Sequence, residues 1–325
     1  MGLELLDKIK LKASALKKTI VLPESHDKRV IKAAEILTKN KIVSVILLGN
    51  DEVIRNDAKR IGTELTGIRI IDPAKSEKLS DFTNIFFNLR KHKGIKIEQA
   101  RTTILNDLFF GAMMVREGMA DGSVAGSTAA TADVIRAGIL CVGMPEGISI
   151  VSSVFVMLLP DKTFSYADCA VVPNPDANQL ADIAISTADN HYKITDEEAN
   201  IAMLSFSTKR SAEHELLDKV IEATKIVREK RPDLNVDGEL QFDTAIIDAI
   251  GQKKAPGSPV AGKANVLIFP DLNAGNIAYK ITQRLGGAEA IGPLVQGLKK
   301  PCFDLSRGCS VDDIVSTASF AAVLS

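Results

Sequence analysis

An excess of charge of either sign is missing: 40 Lys and Arg stand against 41 Asp and Glu, a net charge of −1. The chain therefore lacks the basic field that a nucleic-acid backbone selects and the acidic surplus that keeps a chain unfolded. Long apolar runs are missing too. The longest candidate, Ile148 to Leu159, is interrupted by Ser149, Ser152 and Ser153 and falls short of the roughly 18 residues of a bilayer span, so it reads as a buried strand. The N-terminal MGLELLDKIKLKASALKK scatters charges among its apolar positions, which is not a signal-peptide pattern, and Leu6 breaks a myristoylation motif. A cytoplasmic chain with no membrane partner and no nucleic-acid partner is the expectation. Cysteine is scarce. Cys141, Cys169, Cys302 and Cys309 form no C-x-x-C pair and have no His at zinc spacing, which predicts reduced, mostly buried thiols and no metal site.

What is present is α/β texture. At roughly 150 residues per domain, 325 residues make about two domains. Short β-rich runs alternate with segments whose apolar residues recur every three to four positions. Strands are predicted at Thr19–Leu22, Ile42–Leu48, Ile68–Ile71 and Ser123–Ala125. Helices are predicted near Asp51–Ile61, over Leu79–Lys91 and Ile97–Glu117, and through Arg136. The texture changes after Gly143-Met144-Pro145, where Ile148–Leu159 and Thr163–Val172 read as a hairpin around Pro160-Asp161-Lys162. Helix and strand then alternate again. Gly251 to Gly262 reads as a loop, and Pro301–Leu305 with Val311–Leu324 forms a closing strand, turn and helix. The division predicted is residues 1–145 plus 301–325 for one α/β domain and 146–300 for the other.

Several chemistries lack their parts: there is no G-x-x-x-x-G-K-[ST] loop, no G-x-G-x-x-G after a strand and no H-E-x-x-H helix. Ser25-His26-Asp27 has the letters of a hydrolase triad, but consecutive side chains point apart. The four histidines form no pattern. The densest cluster is DLSRGCSVDD, residues 304–313, at the end of the last strand, where open α/β sheets bind ligands. There Ser306 suits a carbonyl oxygen, Arg307 an anion and Asp313 a proton. Ser310-x-x-Asp313 equally spells a helix capping box. A second cluster, ADGSVAGSTAATADVIRAG, sets Ser127, Thr128 and Thr131 at a helix start with Arg136 within about two turns, which suits phosphate or ordinary capping. A third, NLRKHKG, places Arg90 at a helix end, where the helix dipole alone also favours cations, and Arg29 sits on a helix face.

Together these stretches resemble the phosphate acetyltransferases (phosphotransacetylases). NLRKHKG, FSYADCAVVPNPDANQLADIA, PVAGKANVLIFPDLNAGNIAYKITQRLGG and DLSRGCSVDD match in the family's order along nearly the whole chain. The resemblance implies two α/β/α domains of the isocitrate/isopropylmalate-dehydrogenase-like kind with a cleft between them, and a homodimer. It implies acetyl transfer between coenzyme A and inorganic phosphate, with CoA as a substrate and no permanently bound cofactor. Position by position, Ser306, Arg307 and Asp313 match the family's catalytic residues. Arg90 and Arg136 match arginines that bind CoA or phosphoryl groups, and Arg29 matches less closely. Departures are Ala129-Ala130, where the family often has His followed by Ser or Thr, and Ala137, where it often has Pro. The resemblance further implies direct attack of the CoA thiolate in a ternary complex. A butyryl-specific sibling, a non-catalytic CoA-binding regulatory module and a dehydrogenase of related fold are the competing readings.

Overall fold

Four-residue and five-residue apolar runs make the strands here, because a segment buried on both faces of a parallel sheet needs no polar alternation. Ile20, Val21 and Leu22 of β1 (Thr19–Leu22) are all buried. In a computed structural model the described residues are 2–325, with side chains described from Leu5 onward. Contacts divide the chain into two units, Leu5–Gly143 with Leu298–Ser325, and Met144–Gly297.

Helix α1 (Gly2–Leu16), which belongs to the first unit from Leu5 onward, precedes β1. The unit continues through α2 (Lys28–Lys39), β2 (Ser44–Leu48), α3 (Asp51–Arg60), β3 (Arg69–Ile71) and α4 (Leu79–Arg90). A 3₁₀ turn at Lys91–Lys93 leads to α5 (Ile97–Ile104), α6 (Asp107–Arg116), β4 (Gly122–Ala125) and α7 (Thr131–Cys141). Helix α2 starts where the Asp27 carboxylate accepts the Arg29 amide at 2.8 Å, and it buries Val30, Ile31, Ala33, Ala34 and Leu37, the stripe its apolar spacing dictates. The single helix predicted over Ile97–Glu117 is two. Asn106 breaks it by accepting the Leu108 amide at 3.0 Å and so capping α6.

The second unit runs β5 (Ser152–Leu158), β6 (Thr163–Ala167), α8 (Ala177–Thr195), β7 (Asn200–Leu204), α9 (Glu215–Lys230) and β8 (Asn235–Leu240). It closes with α10 (Phe242–Ile246), α11 (Asp248–Lys254), β9 (Val266–Ile268), α12 (Leu272–Arg284) and β10 (Glu289–Gln296). Its sheet has the order β10-β5-β6-β9-β7-β8, antiparallel at β10·β5 and β5·β6 and parallel beyond. The β5–β6 hairpin agrees with the sequence pattern. The stretch read as a loop from Gly251 instead completes α11 up to Lys254.

The chain then returns to the first unit as β11 (Cys302–Asp304) and α13 (Val311–Leu324), with the Lys299 amide bonded to Gly143 O at 2.9 Å. Its sheet is wholly parallel, in the order β11-β4-β1-β2-β3. From β1 the chain steps to β2 on one side and later comes back to β4 on the other. The strand order therefore reverses between β1 and β4, and in open parallel sheets that reversal leaves a crevice at the carboxyl ends of the strands. Phe82, Phe86 and Phe110 anchor the core on one face, with the Phe82 and Phe110 rings 5.0 Å apart. All four cysteines are unpaired and buried. No helix among the described residues is long and apolar enough to cross a membrane.

Candidate active site

Three loops meet at that reversal: the one after β1, the one after β4 and the one after β11. Pro23 ends β1, and Glu24, 3% exposed, turns its carboxylate onto the loop after β4. It accepts the amides of Gly126, Ser127, Thr128 and Ala129 and the hydroxyls of Ser127 and Thr128, all at 2.7–3.0 Å. Burial works to raise the pKa of Glu24, but the hydrogen bonds from Thr128, Ala129 and Ser127 outweigh it and hold the carboxyl below its ordinary value. Because the Thr128 hydroxyl spends its one proton on Glu24, it must accept from His26 Nε2, 3.0 Å away, which places the ring proton on Nε2.

Arg29 ties the three loops together. Its Nε and Nη2 hold the Asp27 carboxylate at 2.6–3.1 Å, Nη2 also donates to Ser127 O at 2.9 Å, and Nη1 donates to Arg307 O at 2.9 Å and Cys309 O at 2.7 Å. A guanidinium has five N–H donors, and these bonds engage all of them. Arg29, read from sequence as a solvated helix-face charge or an anion ligand, is thus committed to backbone carbonyls and to Asp27.

After β11 the chain turns sharply. Ser306 O accepts the Cys309 amide at 2.9 Å and Ser306 Oγ accepts the Gly308 amide at 3.2 Å, which leaves the hydroxyl proton free to point outward. The capping box is present as well: Ser310 Oγ accepts the Asp313 amide at 3.1 Å and Asp313 Oδ2 accepts the Ser310 amide at 2.8 Å. It fixes the orientation of Asp313, which remains exposed at the first turn of α13. Asp304, at the end of β11, accepts the Thr131 hydroxyl at 2.6 Å. Thr131 opens α7, whose N-cap is Ala130, so no side chain caps that helix, and its first turn starts beside the tip of β11.

The structure therefore gathers Arg29, Ser127, Thr128, Thr131, Ser306, Arg307 and Asp313 around one set of strand tips. It differs from the sequence reading over Ser127 and Thr128, whose amides and hydroxyls are consumed by Glu24. The open donors lie one step further on, at the start of α7. Arg136, later on α7, and Arg307 are exposed and, among the described residues, their side chains have no hydrogen-bond or ion-pair partner. Arg90, at the end of α4, has none either and joins none of the bonds among the loops; its charge is felt at the buried Cys141 thiol at the end of α7. Sequence reasoning passed over Glu24, set His26 and Asp27 aside as a chance triad spelling, and gave Asp304 no role within its cluster. The available signal was their place directly after β1 or at the end of β11, where a sheet of this order keeps its ligand site.

Comparison with known proteins decides the family. The model of the phosphate acetyl/butaryl transferases matches residues 4–322. This chain belongs to that family. A phosphate acetyltransferase from Acetivibrio thermocellus is 51% identical over 324 residues, covering 98% of this chain and 97% of its own. Solved structures agree: a phosphotransacetylase from Streptococcus pyogenes superposes with a TM-score of 0.94 at 41% identity, covering 98% of this chain and 97% of its own. The EutD phosphotransacetylase from Staphylococcus aureus superposes with a TM-score of 0.93 at 40% identity over 98% of both. As a phosphate acetyl/butaryl transferase family member the chain is an enzyme, and its two α/β units are those of the family's fold.

Proposed function

We propose that the chain catalyses acetyl transfer between coenzyme A and inorganic phosphate: acetyl-CoA and phosphate to and from acetyl phosphate and CoA. The observation that carries this reading is the pairing of an uncapped helix start at Thr131 with two uncommitted groups, the Ser306 hydroxyl and the Arg307 guanidinium, on the adjoining strand tip. An open helix start receives a phosphoryl group, and a free hydroxyl beside a guanidinium suits an acyl carbonyl as it gains charge. Relatives at 44–51% identity that carry the name phosphate acetyltransferase favour acetyl over butyryl.

In the direction of acetyl-CoA synthesis, the CoA sulfur attacks the carbonyl carbon of acetyl phosphate in a ternary complex. The S–C bond forms, the C–O bond to phosphorus breaks and phosphate leaves with that electron pair. Ser306 donates to the carbonyl oxygen, Arg307 stabilises the thiolate, and Asp313 takes the thiol proton. An ordinary carboxylate and an ordinary thiol differ by roughly 4.6 pK units, about 6 kcal/mol against that transfer, so thiolate stabilisation by Arg307 contributes at least as much as basicity. Arg136 and Arg90 hold the phosphoryl groups of phosphate or CoA, while Arg29 orients the loops. CoA enters as substrate, with no cofactor resident. The enzyme works in the cytoplasm as a homodimer, for which Ile277, Ile281 and Leu285, 57%, 53% and 85% exposed at four-residue spacing along and just past α12, offer an apolar face to a second copy.

Thiol release from acetyl-CoA, followed with and without phosphate, tests the reaction; phosphate-independent release or none defeats it, and butyryl-CoA in the same assay reads chain preference. Ser306→Ala and Arg307→Ala are each expected to lower kcat by about 10²–10³. Near-parental turnover in both folded variants would remove these residues from the chemistry. Acetyl label trapped on the protein without CoA would point instead to a covalent route, with Cys309 the adjacent nucleophile.

A further inference from the structure

Asp304 is an acid the fold has little use for. It is 6% exposed, its Oδ2 accepts the Thr131 hydroxyl at 2.6 Å, and its Oδ1 is buried without a hydrogen-bond partner. Oδ1 lies against the bare Cα of Gly126 (φ +105°), where a Cβ would stand 2.3 Å away. A buried carboxylate with one side-chain partner, beside a second carboxylate, does not stabilise a fold. Its position gives it a different use. It ends the strand that delivers Ser306 and Arg307 two and three residues later, and its partner is the first residue of the uncapped α7.

We propose that Asp304 is a positioning residue for the acyl transfer: by accepting the Thr131 hydroxyl it pins the open first turn of α7, where phosphate binds, against the strand tip that carries Ser306 and Arg307. This rests on the reaction assigned above. The group acts through Thr131 and does not touch substrate. The groups facing it are Glu24 from the loop after β1, Thr131 from α7, and the backbone of Gly126 and Leu305. Burial, with Glu24 adding to it, pushes Asp304 up to about 6, so its charge is present at neutral pH and lost in mild acid.

The test compares Asp304→Leu, Thr131→Val, Thr131→Ser and the Asp304→Leu/Thr131→Val double variant with the parent chain, measuring KM for phosphate and for CoA, kcat and thermal midpoint. Asp304→Leu, which keeps the side-chain shape and removes the acceptor, and Thr131→Val are each expected to raise the phosphate KM about tenfold with the CoA KM within about twofold, because a misplaced first turn affects only the group it holds. Thr131→Ser recovers most of that loss, and the double variant is no worse than the poorer single one, since both break the same tie. Asp304→Leu does not lower the midpoint. As the pH falls from about 7.5 to about 5, the ratio of variant to parent phosphate KM decreases, because the parent carboxyl takes up a proton and its charge-assisted bond to Thr131 weakens to a neutral one. Titration of phosphate itself is common to both and cancels. A parental phosphate KM in Asp304→Leu overturns the inference, as does an equal rise in both KM values with a lowered midpoint, which marks a merely structural role. A parent chain without phosphate-dependent thiol release overturns the assigned reaction, and this inference with it.

Discussion

A single carboxylate organises the loop after β4. Glu24 takes six hydrogen bonds from Gly126–Ala129, and an amide in its place offers one oxygen to donors that now use two. Glu24→Gln turns an N–H₂ donor toward the amide and hydroxyl donors that bonded the lost oxygen, leaving them unsatisfied at a cost of about 1–3 kcal/mol. Urea unfolding at neutral pH is expected to show that loss, together with lower turnover from a loosened crevice. The pH dependence has a definite sign. A carboxyl held below its ordinary value of 4.5 contributes stability that is complete above that value and is lost as the pH falls through the lower, folded-state value. The gap between parent and Glu24→Gln should therefore shrink in strong acid. Asp304 acts in the opposite sense: with its carboxyl pushed up to about 6, the folded chain binds the extra proton between about 4 and 6, and its burial penalty grows as the pH rises through that window. A midpoint gap for Glu24→Gln that is constant from neutral pH down through pH 3 would contradict the assignment of these hydrogen bonds to an ionised carboxylate.

Elements whose burial follows a simple period were legible in the sequence; those stabilised by polar pairing were not. Strands β1 and β2 are apolar runs and helix α2 is a three-to-four repeat, and they lie where the pattern puts them. Strand β8 reads NVDGEL, and its Asp237 and Glu239 are buried only because Lys209 and Arg228 reach the first and Ser207 and the Arg210 amide reach the second. No local pattern announces partners so far away in sequence. Strand β10 is broken by Gly292-Pro293, and α12 carries its large aliphatics outward, so neither shows the expected periodicity. At the site, DLSRGCSVDD was legible as a strand-to-helix turn, whereas the role of Glu24 depends on β1 and β4 being neighbours, which only the sheet order creates. Helix α7 gives an element-scale test, since its N-cap is Ala130 and no side chain caps it. Ala130→Asp supplies a cap and should stabilise the helix by about 1 kcal/mol. The new carboxylate also occupies the positive helix start and should raise the phosphate KM at least about tenfold. A higher thermal midpoint with weaker phosphate binding is the expected pair of results. A higher midpoint with unchanged phosphate KM would move the phosphoryl group away from α7.

At the scale of the whole molecule, the last 28 residues, Leu298–Ser325, complete a unit begun at the other end of the chain. Strand β11 occupies the edge of the first sheet, pairing only with β4 through Cys302↔Ser123, Phe303↔Val124 and Asp304↔Ala125. Helix α13 packs on α2, β4 and β1, with Ile314, Val315, Phe320, Val323 and Leu324 among its buried side chains. Each large aliphatic or aromatic side chain buried there contributes about 1.5–3 kcal/mol, so these five and Phe303 of β11 together contribute about 9–18 kcal/mol, on the scale of the roughly 5–15 kcal/mol that holds a domain folded. The second unit has a core of its own around Phe155, Tyr166, Leu240, Leu267 and Phe269, none of which comes from the C-terminal segment. A chain ending at Gly297 should therefore lose the first unit and keep the second. Hydrogen exchange read by mass spectrometry is expected to show protection vanishing from β1, β4 and α2 while persisting in β5, β6, β7 and β9. Ser306, Arg307 and Asp313, proposed above to carry the chemistry, travel with the same segment, so activity and first-unit folding are expected to be lost together. Protection retained across β1 and β4 in the shortened chain would show that the sheet stands without its closing strand. The C-terminal segment would then be an appended catalytic arm and not part of the scaffold.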